Sequence, residues 1–120
     1  MGLLADINTF LSDIDNVYLG SMPSTPDNAV AVYPTGGFSR DLSGNEVEEP
    51  TFMVSVRNTS YPTGEAVCDT IKDALHGQND QTVNGNDILL IAQQSDVLNL
   101  GRDENNRQMW SINFRLYYRR

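Results

Sequence analysis

The last thirteen residues, QMWSINFRLYYRR at 108–120, constrain the fold more than any other stretch of the chain. Large apolar side chains alternate there with polar ones, and a period of two residues is typical of a β-strand with one buried face. The face with the largest side chains consists of Trp110, Ile112, Phe114, Leu116 and Tyr118. Each would contribute about 1.5–3 kcal/mol if fully buried. We therefore expect this strand near the middle of a sheet, on whose core face these side chains lie.

The other face of the same strand is mostly polar and carries positive charge. Its members are Met109, Ser111, Asn113, Arg115 and Tyr117. We expect this face to contact solvent or another subunit. The stretch DVLNLGR at 96–102 leads through DENN, at 103–106, into the strand, and this pattern is typical of a β-hairpin. The chain is therefore predicted to end in a long hairpin.

Two amphipathic helices are predicted from apolar residues that recur at intervals of three and four. The first spans about residues 3–15, and its apolar face consists of Leu3, Leu4, Ile7, Phe10, Leu11 and Ile14. Asp13 and Asp15 at its end oppose the helix dipole, which indicates a partner for these carboxylates. The second helix begins at Pro62, where a missing N–H costs nothing, and ends at Gly77, a typical cap. Its apolar face consists of Val67, Cys68, Ile71, Ala74 and Leu75.

Three further strands are predicted, at residues 29–33, 51–57 and 88–92. The turn-rich segment 20–28 is predicted to be a connector, and 78–87 a polar turn. A flexible loop is predicted at 34–50, long enough to have a function of its own. Together these elements predict a single domain, residues 1–120, in which two helices cover the core face of a sheet.

Charge is distributed unevenly along the chain. Residues 1–106 hold all sixteen acids and four bases, a net −12, whereas residues 107–120 hold four bases and no acid, a net +4. A free-standing nucleic-acid binder of this size would normally be basic, so sequence-independent DNA binding is disfavoured. An acidic body with a basic end is suited to contacts between copies of the chain. Solubility and local ion pairs would explain the same charges, and both interpretations stay open.

The chain shows no pattern typical of secretion or membrane insertion. Its single cysteine, Cys68, fits a reducing compartment, and the N-terminus lacks the basic region of a signal peptide. No apolar run approaches the roughly 20 residues of a membrane span. We expect a soluble protein made in a cytoplasm.

No constellation of catalytic or metal-binding residues is present. One His and one Cys exclude a structural zinc site, and His76 is expected to serve the end of its helix. Acidic pairs such as Glu48-Glu49 lack the alternating spacing of a calcium loop. Nucleotide-binding and nucleophile-elbow motifs are missing as well. We expect no enzymatic activity, no cofactor and no metal.

The terminal hairpin, NLGRDENNRQMWSINFRLYYR, resembles the closing segment of the tail-terminator or minor capsid proteins of long-tailed bacteriophages. The residues that coincide most closely are Gly101, Arg102, Asp103, Arg107, Asn113, Phe114 and Arg115. The resemblance extends in order to the N-terminal helix, residues 33–37, the strand TFMVSVRN and the helix YPTGEAVCDTIKDALHG, and so covers most of the chain. Segments 20–28 and 78–86 match nothing in the family.

The resemblance implies an α+β fold with a single mixed, mainly antiparallel sheet and two helices packed on one face. It also implies a ring, usually a hexamer, at the top of the phage tail tube. Such a ring stops tube polymerisation, joins the tail to the head connector and passes the genome through a central channel. The implied partners are further copies of the chain, the tail tube protein and a head-completion protein, with DNA passing transiently. The implied location is the head–tail interface of the virion, after synthesis in the host bacterial cytoplasm.

Two sets of residues are candidates for contacts in such a ring. The subunit-interface candidates are Arg107, Asn113, Arg115, Tyr117, Arg119 and Arg120. The candidates for the channel or for a neighbouring ring lie in the acidic loop: Asp41, Glu46, Glu48 and Glu49. The alternative for the arginines is that they flank an edge strand, where charge blocks aberrant pairing.

Two other functions are compatible with this sequence. An acidic inhibitor or immunity-type protein would bind a basic enzyme, for example by imitating DNA, but such a protein has little use for the terminal arginines. A small ligand-binding or enzymatic α+β domain would need a pocket, which sequence does not reveal.

Overall fold

The fold is that of a computed structural model, which describes residues 3–38, 47–83 and 85–119. Its helices are α1, Leu3–Thr9, and α2, Tyr61–Leu75. Its strands are β1 Val17–Leu19, β2 Ala29–Phe38, β3 Val47–Asn58, β4 Asn79–Val83, β5 Asn86–Gln93, β6 Leu98–Arg102 and β7 Gln108–Arg119.

The seven strands form one sheet in the order β1-β2-β3-β7-β5-β4, and β6 also pairs with β7. β1 is parallel to β2, and the other pairs are antiparallel. β5 and β6 follow one another along the same edge of β7, with β5 against residues 114–119 and β6 against 108–111. The α+β class and the mixed, mainly antiparallel sheet are therefore confirmed.

β7 runs through the middle of this sheet, as its alternation predicts. Its five large apolar side chains are all buried: Trp110, Ile112, Phe114, Leu116 and Tyr118. Phe114 lies opposite Phe52 of β3, and the two rings stack with centroids 5.2 Å apart. Trp110 contacts the ring of Tyr61 at the start of α2, at a centroid distance of 5.4 Å. The predicted core face of the terminal strand is confirmed.

Both helices contribute to the core that the sheet forms. Ile7 of α1 and Leu11 after it belong to the same buried cluster as Ile71 and Leu75 of α2 and the central strands. Burial of such apolar side chains is the main favourable term in folding. That both helices pack on one face of the sheet stays a prediction.

The first helix is shorter than its apolar pattern predicts. The α-helix ends at Thr9, and single turns continue the chain, with Leu11 N–H donating to Asn8 O and Ile14 N–H to Leu11 O, each at 3.0 Å. Asn, Ser and Asp side chains compete for backbone hydrogen bonds and so favour turns over helix. The turns still bring Leu11 into the core, because a helix-like spacing persists without regular helix.

The second helix ends at the predicted Gly77, and the structure adds an N-cap at Ser60. Ser60 precedes it, and its hydroxyl accepts from the Thr63 N–H at 3.4 Å. Pro62 lies in the first turn, where it removes no helical hydrogen bond. Beyond Leu75, Gly77 has a φ of 86°, a conformation that glycine adopts without steric cost.

Two segments predicted as loop or turn contain strands. β2 and β3 extend through much of 34–50 as an antiparallel hairpin, with a register shift between Pro34 and Gly36. The predicted polar turn at 78–87 contains β4, which pairs with β5. Neither segment alternates apolar with polar residues, because a polar edge strand and a hairpin end have no face to bury. Only pairing to a neighbouring strand defines them.

Candidate assembly surfaces

Four side chains of β7 point away from the core and form what we call the β7 outer face: Asn113, Arg115, Tyr117 and Arg119. The first three are half-buried, and Arg119 is exposed. Tyr117 lies opposite Leu90 of β5, whose side chain is 37% exposed. The outer face therefore combines apolar and cationic groups, a mixture that is common at protein interfaces.

The two arginines of the β7 outer face have different neighbours within the chain. Arg119 donates to Asp87 Oδ2 from Nη2 at 3.3 Å, an exposed ion pair of the kind that contributes about 0–1 kcal/mol. Arg115 lies beside Gln94. When the Gln94 amide oxygen faces the guanidinium, it accepts from Nε at 3.2 Å and from Nη2 at 3.1 Å.

Arg107, an interface candidate from the sequence, binds within its own chain. It is only 6% exposed. Its Nε donates to Asp103 Oδ2 at 2.8 Å, and its Nη1 donates to Ser24 O at 2.7 Å and to Asp27 Oδ1 at 3.4 Å. The guanidinium thus joins the turn before β7 to the connector at 20–28. Its role at a subunit interface stays a prediction.

A second buried arginine, which the sequence did not single out, holds the same connector. Arg57 at the end of β3 is 4% exposed, and it donates to Asp27 O at 3.0 Å and to Pro26 O at 2.5 Å. Its position in the sequence gave little signal. Arg57 ends the predicted strand 51–57, where a charged side chain would ordinarily reach solvent. Two arginines therefore hold the connector against the sheet.

The acidic loop is described in part. Glu48 and Glu49 lie in β3, opposite Tyr118 and Phe38 respectively, and both are half-buried. Asp41 and Glu46 lie outside the described residues, as does Arg120 of the interface set.

Three leucines on two short strands are exposed, and sequence reasoning missed them. Leu98 and Leu100 of β6 are 49% and 56% exposed, and Leu19 of β1 is 41% exposed. β1 pairs only with β2, and β6 only with β7, among the strands that the structure describes. A signal for two of them was present in the sequence. DVLNLGR contains two leucines on a hairpin arm, and no other strand is predicted to pair with that arm and cover them. Exposed apolar edges of this kind favour strand pairing with another chain.

A cleft of about 410 Å³ lies between the residues that precede β1 and the first half of α2. Asp13 and Asp15, both exposed, lie at this cleft together with Asn58 and Thr63. No ion pair to either carboxylate is formed by the described residues. The partner that helix-dipole reasoning predicts for them is thus not found in those parts of the chain.

The single cysteine and the single histidine of the chain show no catalytic arrangement with the other described residues. Burial raises the pKa of the Cys68 thiol to about 12, with Asp69 adding to the shift, so this thiol is protonated and unreactive at neutral pH. Nδ1 of His76 accepts from the Gln93 N–H at 3.0 Å. No group of three His, Cys, Asp or Glu side chains is placed to hold a metal among residues 3–38, 47–83 and 85–119. Neither described helix has the length and apolar character that crossing a membrane requires.

Comparison with known proteins agrees with this architecture. One solved chain, from the virion of a native gene transfer agent particle, is 16% identical, with a TM-score of 0.74 over 97% of this chain and 93% of that one. A second solved chain is 17% identical, with a TM-score of 0.63 over 98% and 94%. No curated protein sequence matches. The protein-family model for the bacteriophage tail terminator protein matches residues 2–120, and the chain therefore belongs to this family of phage structural proteins.

Proposed function

We propose that this protein, whose family gives it a structural role in the bacteriophage tail, forms a ring at the top of the tail tube. The ring is a hexamer that ends tube polymerisation and joins the tail to the head connector. The observation that carries the proposal is the family match over residues 2–120. Its partners are further copies of the chain, the tail tube protein and a head-completion protein, at the head–tail interface of the virion.

The β7 outer face supports a contact between subunits. Arg115 and Arg119 are cations on a molecule whose net charge is −8, so acidic surface is abundant on any neighbouring copy. A contact between unlike surfaces repeats around an axis and closes into a ring when the rotation closes. Asn113 and Tyr117 would lie inside this contact. Arg107 contributes by holding the turn that precedes β7.

The acidic loop suits a channel that DNA must cross without binding. Asp41, Glu46, Glu48 and Glu49 all lie in or beside it. Carboxylates in a lumen repel phosphates and prevent the duplex from adhering to the wall. We place this loop at the lumen or against the neighbouring ring.

The oligomeric state tests the ring directly. Native mass spectrometry and negative-stain microscopy, across a wide range of protein concentration, should show a closed oligomer and annular particles. Added to polymerising tail tube protein, the ring should bind tube ends and shorten the tubes. A chain that stays monomeric at every concentration and neither binds tube ends nor changes tube length would overturn the proposal.

A further inference from the structure

We propose that adjacent subunits join by pairing the β6 edge of one copy with the β1 edge of the next, so that the sheet continues from subunit to subunit. This inference rests on the proposed ring and adds a contact between sheet edges to the contact proposed for the β7 outer face. It arises from three observations. The two edges lie at the same level, and their strands run in opposite directions. An exposed arginine on one edge lies in the row of Asn58, which lines the cleft with two exposed aspartates beside the other edge.

The level of the two edges follows from the strand registers. Val17 of β1 is paired with Val30, Val30 with Val56, Val56 with Trp110 and Trp110 with Asn99 of β6. One row of residues thus crosses the whole sheet from edge to edge. The next row crosses from Tyr18 to Leu98 in the same way. A neighbouring copy displaced along these rows brings its β1 directly beside β6.

The direction of the strands favours this pairing. β1 is parallel to β2, and each step from β2 to β3, from β3 to β7 and from β7 to β6 reverses direction. After three reversals β6 runs opposite to β1. Two copies in the same orientation therefore meet as antiparallel strands, the more stable kind of pairing.

Charge and apolar surface are complementary across the same junction. Arg102 of β6 is paired with Gln108, and Gln108 with Asn58 of β3. Asn58 lines the cleft beside β1 at which Asp13 and Asp15 also lie. Arg102 is exposed and donates to Asn106 Oδ1 at 2.6 Å. Asp15, like Asp13, is an exposed carboxylate at the cleft beside β1.

Pairing would bring Arg102 to these carboxylates. It would also cover the three exposed leucines of β1 and β6, which lie at or beside the two edges.

The remaining edge, β4, lacks each of these properties. Its residues, Asn79–Val83, are polar except for the last, and Asp80 has a φ of 51°, which interrupts regular extended backbone. β4 also runs in the same direction as β1, because two reversals separate it from β7. It lies at the level of Tyr118, whereas β1 reaches only the level of Ile112, an offset of about 20 Å at the usual rise per residue. β4 therefore serves as a matched control edge.

Disulfide cross-linking tests the pairing. In one chain Tyr18 and Leu98 are four strand spacings apart, about 19 Å, so cysteines placed there cannot bridge within a subunit. Oxidation of the Tyr18→Cys, Leu98→Cys double variant should produce a ladder of covalent oligomers up to the size of the closed ring. The control pair Tyr18→Cys, Gln81→Cys, which joins β1 to β4, should produce none. The wild-type chain reports any background from its buried Cys68.

Charge exchange tests the Arg102–Asp15 contact independently. Arg102→Asp and Asp15→Arg should each reduce the assembled fraction by about tenfold or more, because each places like charges together, and the double exchange should restore it. Asn106→Gly removes the partner of Arg102 within the chain, at a position whose φ of 62° glycine adopts without strain, and should leave assembly unchanged. Circular dichroism should show that every variant folds.

The outcomes separate this inference from the ring itself. The protein could form annular particles and yet give no cross-linked ladder and no response to the charge exchange. That result would overturn the edge pairing and leave the ring in place. A protein that forms no oligomer alone or on tube ends would overturn both.

Discussion

The Asp103 carboxylate accepts two hydrogen bonds from Arg107 that close the turn before the central strand. The backbone N–H of Arg107 donates to Oδ1 at 2.9 Å, and its Nε donates to Oδ2 at 2.8 Å. The same guanidinium reaches Ser24 O across the sequence. A short local turn and a distant connector therefore depend on one side chain, which explains why an arginine of a basic C-terminal stretch is buried.

The first prediction concerns the pH dependence of this turn. The backbone N–H of Arg107, with further donors from its side chain and Asn105, lowers the pKa of Asp103 below its ordinary value of 3.8. A carboxyl whose pKa is lowered by folding stabilises the fold fully when the pH is above the ordinary pKa. That stabilisation is lost as the pH falls through the lowered pKa.

Urea unfolding should therefore show wild type more stable than Asp103→Asn by a constant margin above about pH 5. The margin should shrink below the ordinary pKa. A margin independent of pH down to full protonation would show that the carboxylate charge has no part in holding the turn.

A second prediction concerns the largest side chain of the core. Trp110 is 2% exposed and lies on the central strand, so Trp110→Ala should lower the free energy of unfolding by about 3–5 kcal/mol. Thermal and urea denaturation measure this loss. Met109→Ala, the neighbouring substitution on the opposite face, is the control and should cost far less, and equal losses would contradict the face assignment.

A third prediction follows from the close approach of α2 to Trp110. A Cβ added at Gly64 would overlap the Cη2 and Cζ3 atoms of the indole ring. Helix propensity alone would make Gly64→Ala stabilising by about 1 kcal/mol, whereas overpacking makes it destabilising by about 1–3 kcal/mol. We expect the net effect to be destabilising in wild type and smaller in a Trp110→Phe background. Stabilisation in wild type would show that the helix does not approach so closely.

A fourth prediction concerns the buried carboxylate of α1. Asp6 is fully buried, and its Oδ2 accepts from the hydroxyl of Tyr118 and from Asn86 Nδ2, the latter at 3.3 Å. Tyr118→Phe removes one donor from a buried acceptor and should cost about 1–3 kcal/mol. Tyr117→Phe, on the outer face of the same strand, is the matched control with little expected change. Equal unfolding midpoints for both variants would mean that Tyr118 does not anchor α1.

A fifth prediction concerns the β7 outer face in the proposed ring. Arg115→Glu should impair assembly, measured by native mass spectrometry, while circular dichroism shows an intact fold. Lys72→Glu makes the same change of charge on α2, where Lys72 pairs with Asp69 at 3.5 Å, and should leave assembly intact. Unchanged assembly of Arg115→Glu would remove that residue from the interface.

Much of the architecture could be predicted because it depends on local periodicity. The alternation in β7 and the spacing of apolar residues in α2 predict strand, helix and buried face, since a strand repeats every two residues and a helix every 3.6. The cap at Gly77 acts within a few residues, so its position follows from the sequence as well. The end of α1 could not be predicted, because the same apolar spacing suits a helix and a series of turns.

The sequence by itself determined which side chains of β7 lie in the core, where the two helices begin and that the chain resembles the tail terminators. Only the tertiary structure decided that Arg107 is buried against Ser24 and Asp27, that β4 exists, and that β1 and β6 lie level at opposite edges. These features depend on strand register and on contacts between residues distant in the chain. No local pattern specifies them, because a polar edge strand and a buried arginine gain their stability only from partners that folding brings together.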